Sequence, residues 1–259
     1  RQSGFNRLSF GAESMDQTEL NRVGRPGSPA STITTMAVAR EAGFTNINLD
    51  LMYGLPGQTL ESWATSLRHT IELDPNHLSC YALTIEEGTS LKTAIQRGLV
   101  PAPDEELQNR MEDLAEEILS RAGYERYEIS NYCRHGFASR HNRLHWTGGH
   151  YLGIGPSAQS YLGGRRFGNV SDLRAYNAAL KDGRLPVSES DRLTQADESC
   201  ERLVFVLRLI DGISLSQTGA LSFPALTQGV DKLLAEELLE RQGDVVRLTT
   251  RGRRYADTV

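Results

Sequence analysis

Two groups of residues have the types and placement that chemistry needs. Glu13, Asp50 and Thr84 each fall at or just after the end of a strand-like run, over residues 5–10, 47–52 and about 77–83. Loops that follow the ends of parallel strands commonly carry the site, so topology alone marks these three. For Asp50, the reading as a buried polar residue satisfied by its neighbours stands beside the functional one. His141 and His145 form the second group, within a segment from 124 to 146 rich in Tyr, Arg and His. A neutral imidazole offers a lone pair to a metal, while a loop histidine bonded to backbone is the plainer alternative. Residues four apart on a helix point the same way, so these rings cannot approach one metal ion from opposite faces. Cys80, Cys133 and Cys200 are odd in number and far apart. They form neither a disulfide framework nor the close spacing of a zinc or cluster site, and they fit a reducing, cytoplasmic compartment.

The elements that must position these residues alternate. The first strand ends at Gly11, and Asp16 with Glu19 has capping-box spacing for a short helix through Leu20 to Val23. Ser28 and Pro29 open a helix through Ile33, Met36, Ala37 and Arg40 that Gly43 closes. Trp63, Leu67 and Ile71 mark one face of the next helix. Strand–helix alternation of these lengths implies an α/β fold, a parallel sheet with helical crossovers. Residues 104–122 read as a long amphipathic helix with Leu107, Met111, Leu114, Ile118 and Leu119 on its apolar side. Beyond Gly123, segments 124–146 and 148–164 read as loops, 171–180 as a helix and 183–190 as a linker.

From Leu193 the pattern of helix, short helix, helix and a strand over 244–249 suggests a winged helix. Its candidate recognition helix, 227–241, holds Asp231, Glu236, Glu237 and Glu240 against Lys232 and Arg241. Acidic residues there would repel phosphate, which favours a structural or docking module over a DNA reader. The division expected is a barrel part with its following loops over 1–165 and a small C-terminal domain over 166–259.

Composition narrows the function classes. Of 259 residues, 39% are apolar and 24% charged, enough to bury the core of an ordinary globular protein. A net charge of −5 argues against a nucleic-acid partner. No apolar run approaches the ~20 residues of a membrane helix, and the polar opening Arg1-Gln2-Ser3-Gly4 is no secretory signal. The first residue is not Met and a strand-like run begins by Phe5, so the natural N-terminus is expected to be missing.

Six strings then stand in register: NRLSFGAES (6–14), NLDLMYGLPGQT (48–59), HLS with LTIEEGT (77–79 and 83–89), YEISNY (127–132), SRHN (139–142) and YLGIGP (151–156). Together they resemble the radical-SAM family of oxygen-independent coproporphyrinogen oxidases and haem chaperones, from Phe5 to about Leu180 and more loosely beyond. The resemblance implies the second half of a partial β/α barrel, strands four to six, followed by a winged-helix-like domain. In that family a CxxxCxxC loop after the first strand holds a [4Fe-4S] cluster, and S-adenosylmethionine (SAM) chelates its open iron. The resemblance therefore implies both cofactors for the complete protein, with the cluster ligands absent from this chain.

Carried over by position, the family's SAM contacts fall on Glu13, Arg25, Asp50, Thr84 and Gln159. Asp50 would accept hydrogen bonds from the amine or ribose, and Arg25 would pair the carboxylate. For Arg25, a helix-terminal surface charge is the alternative. Glu13 stands where the family has Gln, and Gln159 where the chaperone branch has His. The stretch from Leu83 to Glu86 and HNRLHW (141–146) resemble the chaperone branch, whose HNxxYW motif contacts haem. His145 replaces the motif's Tyr, so His141 is the implied haem contact, with Trp146 beside the porphyrin. The implied partners are haem or porphyrin and a haem-acceptor protein, membrane-associated or not. Oxidative decarboxylation of coproporphyrinogen III is the alternative activity. A non-catalytic folded fragment, or another β/α-barrel enzyme, is the reading from a different class.

Overall fold

Ile47, Leu49 and Leu51 alternate with Asn48 and Asp50, so one strand presents an apolar face and a polar face. The computed structural model describes residues 2–219 and 222–256. Its two compact units, Arg1–Ala138 and Ser139–Val259, divide the chain earlier than the 165/166 boundary read from the sequence.

The first unit contains β1 (Arg7–Glu13), α1 (Gln17–Arg22), α2 (Pro29–Glu41), β2 (Asn46–Tyr53), α3 (Leu60–Glu72) and β3 (His77–Ala82). It continues through α4 (Ser90–Gln96), α5 (Glu105–Arg121), β4 (Glu125–Glu128) and β5 (Asn131–Cys133). The sheet runs β1-β2-β3-β5-β4, with the first three strands parallel and β5 and β4 antiparallel. It is open, with β1 at one edge. On its apolar face Ile47, Leu49, Leu51 and Leu78 pack in one core with Trp63 and Leu67 of α3 and Met111 and Leu119 of α5. Each such side chain contributes about 1.5–3 kcal/mol on burial. Trp63 Nε1 also donates to the Met111 carbonyl at 2.9 Å, which fixes α3 against α5.

The second unit contains α6 (Arg140–Trp146), β6 (Gln159–Leu162), β7 (Arg165–Asn169), α7 (Leu173–Lys181), β8 (Val187–Arg192) and α8 (Gln195–Val206). Then follow β9 (Ile213–Ser214), α9 (Leu215–Thr218), α10 (Pro224–Ala235), β10 (Leu239–Gln242), β11 (Val245–Leu248) and α11 (Thr250–Arg254). Two three-stranded antiparallel sheets result, β6-β7-β8 and β10-β11-β9. The six elements from α8 to β11 have the helix and strand order of a winged helix.

Five local expectations need correction, the first being the loop read over 148–164, which holds β6 at Gln159–Leu162. Residues 124–146 hold β4, β5 and α6 rather than a loop. Arg126, almost fully buried, pairs with Glu112 at 2.5 Å and Glu116 at 2.7 Å, so α5 supports the β4–β5 hairpin. The expected linker at 183–190 runs into β8, which pairs Phe167 with Ser190. Nearly all of β8 is exposed, so no apolar alternation announces it. The expected recognition helix stops at Ala235, and Glu240 and Arg241 lie on β10. Finally, Asp16 caps α1 by accepting from the Thr18 and Glu19 amides, but Glu19 does not close the box. Its buried carboxylate instead accepts from Ser14 at 2.6 Å, Ser62 at 2.6 Å and Gln58 at 3.0 Å, tying α1 to the first turn of α3 and the loop before it.

Candidate functional site

On the polar face of the first sheet, register sets Ser9 beside Asn48, Asn48 beside His77 and Asp50 beside Ser79. Asn48 Nδ2 donates to Asp50 Oδ1 at 2.8 Å and to Ser9 Oγ at 2.7 Å, and Ser9 Oγ donates to Asp50 Oδ2 at 3.1 Å. Both carboxylate oxygens are thus held while Asp50 stays half-buried. His77, fully buried, places Nδ1 2.6 Å from Asn48 Oδ1 and Nε2 2.8 Å from the Tyr127 hydroxyl. Burial, and secondarily the charge of Arg7, lower its pKa to about 3, so the ring is neutral. Asp50 is thus satisfied by its neighbours, as the plainer of its two readings expected, though half-buried rather than buried.

Glu13 ends β1 with φ of 60° and pairs with Arg25 at 2.9 Å. Gly11 makes room for this pair, since a Cβ there would sit 2.6 Å from Glu13 Oε1 and 2.7 Å from Arg25 Nη2. Burial raises the Glu13 pKa, Arg25 counters the rise and Asp50 adds to it. Glu13 therefore lies within electrostatic reach of both Arg25 and Asp50. Thr84 lies exposed, two residues beyond β3. Gln159 opens β6 in the second unit, where its Nε2 donates to Glu189 at 3.1 Å. The alternation of residues 46–50 was the signal for the Asn48–His77 network, which motif matching passes over.

His141 and His145 share α6, with their Nε2 atoms 3.3 Å apart and ring planes at 83°. They lie on one helical side, as their spacing requires. His145 packs edge-on against Tyr151 with centroids 4.3 Å apart. Burial lowers its pKa, and the charge of His141 acts in the same direction. Beside α6 lies a cavity of about 660 Å³ lined by His145, Trp146, Tyr151, Tyr161, Arg202 and Phe205, among others. His141 is not among its lining residues.

The donor sets fit the implied groups unequally. Asp50 and Arg25 offer an acceptor and a cation suited to an amino acid's two ends, which fits SAM. The aromatic cavity beside an imidazole fits a porphyrin. The cysteines do not fit an iron–sulfur cluster: Cys80 and Cys133 are buried in the first unit, and Cys200 belongs to the second. Among the described residues no three His, Cys, Asp or Glu side chains are placed to hold a metal ion.

The fold is that of a radical-SAM protein with an unclosed sheet and a C-terminal module. Residues 1–69 match the radical SAM superfamily and residues 193–255 the HemN C-terminal domain. Heme chaperone HemW of Mycobacterium tuberculosis is 36% identical over the whole chain, which spans 65% of that protein. The Bacillus subtilis heme chaperone HemW is 32% identical, again over the whole chain and 69% of its own length. The solved structure of coproporphyrinogen III oxidase (HemN) from Escherichia coli, a radical SAM enzyme, superposes with a TM-score of 0.81. That match covers 99% of this chain and 63% of the other at 22% identity, a likeness of fold. The chain belongs to the radical-SAM family of haem chaperones and coproporphyrinogen oxidase-like proteins.

Proposed function

We propose that this protein binds haem as a chaperone and hands it to an acceptor protein, with SAM and a [4Fe-4S] cluster as cofactors. His141 makes the haem contact from α6. The observation that supports haem binding most is the aromatic cavity beside that helix, walled by its own His145 and Trp146, while His141 lies one turn earlier on the same helix. SAM contacts fall on Glu13, Arg25, Asp50 and Thr84 in the first unit. The family's CxxxCxxC loop, which would hold the cluster, is not in this sequence. Bound to such a cluster, SAM supplies one-electron cleavage chemistry. What this chain contributes is the Asp50 carboxylate, oriented by Asn48 and Ser9, and a cation, Arg25, held by Glu13. No helix among the described residues is long and apolar enough to cross a membrane, and the reading assigns the protein to the cytoplasm.

The test is a set of three variants, His141→Ala, His145→Ala and the double, titrated with haem and followed at the Soret band. Loss with His141→Ala alone supports the contact. Loss only in the double variant makes the two rings interchangeable, as their 3.3 Å separation allows. Unchanged binding in all three removes α6 from haem recognition.

A further inference from the structure

We infer that His141 and His145 form a two-imidazole clamp on α6 for a free divalent transition-metal ion such as zinc. The clamp stands on the geometry of the pair. Its consequence, that a captured ion blocks the haem contact, rests on the haem reading above.

Ser139 caps α6, its Oγ accepting from the Asn142 amide at 3.3 Å, and the helix stacks the two histidines on one side. That placement rules out opposite positions on an ion but suits neighbouring ones. The ring centroids are 4.6 Å apart and the Nε2 atoms 3.3 Å, so the nitrogens converge. Two imidazole nitrogens, each about 2.0–2.1 Å from a tetrahedral zinc, stand about 3.3–3.4 Å from one another. The pair is therefore already set at the separation an ion demands. Tyr151, edge-on to His145 at 4.3 Å between centroids, limits the rotation of that ring. Without an ion, one Nε2–H bridges the two nitrogens, at a distance longer than a usual hydrogen bond. On capture that proton moves to Nδ1 of its own ring. Both Nε2 lone pairs then face the metal, and the charge of the rings does not change.

Donor type selects the ion. Imidazole suits zinc, copper and nickel, whereas magnesium and calcium take oxygen ligands. Among the described residues no third His, Cys, Asp or Glu completes a group with the pair. Water fills the remaining positions, so the ion exchanges with solvent, unlike one enclosed by four protein ligands. Arg140 and Arg143 share the helix, and their charges keep the affinity modest. His145 stands where the chaperone motif has Tyr, so the pair is not something the resemblance implies. An ion held by both Nε2 atoms takes the His141 lone pair that haem iron would use.

Zinc titrated calorimetrically into the whole chain, with Cys200→Ser to remove the half-buried thiol, should fill one site. His141→Ala and His145→Tyr should each weaken it roughly tenfold or more, because either change ends chelation. The double variant should lose no more than the single ones, whereas separate surface imidazoles would give small, additive losses. His150→Ala should change nothing, and excess magnesium should not compete. Copper in the wild type should show two nitrogen couplings by electron paramagnetic resonance, and one in His145→Tyr. His141 is exposed, so its variant folds even where His145→Tyr does not. Additive losses, or no loss in either single variant, overturn the clamp. Saturating zinc should also weaken haem binding at the Soret band in the wild type, and far less in His145→Tyr. If zinc binds the pair and haem affinity is unchanged, the His141 haem contact falls and the clamp stands. If zinc does not bind the pair while His141→Ala loses haem, the clamp falls and the haem reading stands.

Discussion

His77 donates to Asn48. The Asn48 amide nitrogen already donates to Asp50 and Ser9, so the Oδ1 atom, 2.6 Å from His77 Nδ1, must be the acceptor. The proton of the neutral ring therefore sits on Nδ1, and Nε2 receives the Tyr127 hydroxyl. A single run of donors passes from Tyr127 through His77 and Asn48 to Asp50, and protonating the ring would reverse one of its links.

That sets a pH dependence. Folded His77 stays unprotonated down to a pKa of about 3, against an ordinary value of 6.5. Between these values the unfolded chain binds the extra proton, so stability rises with pH and is lost on acidification below about 6.5. The slope from this one group approaches about 1.4 kcal/mol per pH unit. Urea midpoints from pH 7 to 4 should fall for the wild type, and His77→Gln should flatten that fall. An unchanged slope in the variant places the acid sensitivity elsewhere.

Asp50→Ala should keep the fold and weaken SAM binding by roughly tenfold or more in the cluster-loaded protein, since it removes a charged acceptor. Asn48→Ala should cost less affinity but more stability, because it leaves buried His77 Nδ1 without its acceptor. Calorimetry with SAM, beside a thermal melt, separates the two. Equal SAM affinity for wild type and Asp50→Ala makes Asp50 structural only.

The thiols should sort by burial. Burial pushes Cys80 up to about 12, and Cys133 is buried as well, whereas Cys200 is half-buried. Thiolate is the reacting form. An aromatic disulfide reagent should modify Cys200 first in native protein, and the other two only on unfolding. Anaerobic iron–sulfide reconstitution of this chain should give no stable, stoichiometric [4Fe-4S] spectrum. A cluster ligated by all three cysteines would overturn the reading.

Much of the first unit is legible in its sequence. Ser28–Pro29, Asp104 and the 63/67/71 face lie where helices α2, α5 and α3 form, because caps and periodicity act locally. What escaped depends on distant partners. The β4–β5 hairpin needs Arg126 buried between two glutamates of α5, and β8 is held by β7 rather than by apolar alternation. In α2, Ile33 faces outward at 49% exposure, while Met36 and Ala39 carry the contact. At the site, motif positions mark Asp50 and Arg25, but only the folded register brings His77 to Asn48 and lets Glu13 seize Arg25.

That last contact yields the sharpest test of the SAM assignment. Arg25 is proposed to pair with the SAM carboxylate, yet Glu13 already holds it at 2.9 Å, with Arg25 half-exposed. An ion pair so open to water is worth only about 0–1 kcal/mol, so Glu13 competes with the ligand without much strengthening the fold. Glu13→Gln, which restores the family's residue, should release Arg25 and tighten SAM binding severalfold in the cluster-loaded protein. Its urea midpoint should move little. Arg25→Ala should weaken SAM binding, and Glu13→Gln should bring no gain in that background, because the competition it relieves no longer exists. Calorimetric titration of the two single variants and the double closes this cycle. Weaker SAM binding in Glu13→Gln alone would mean that the Glu13 contact with the cofactor depends on its charge, and the competition would be discarded.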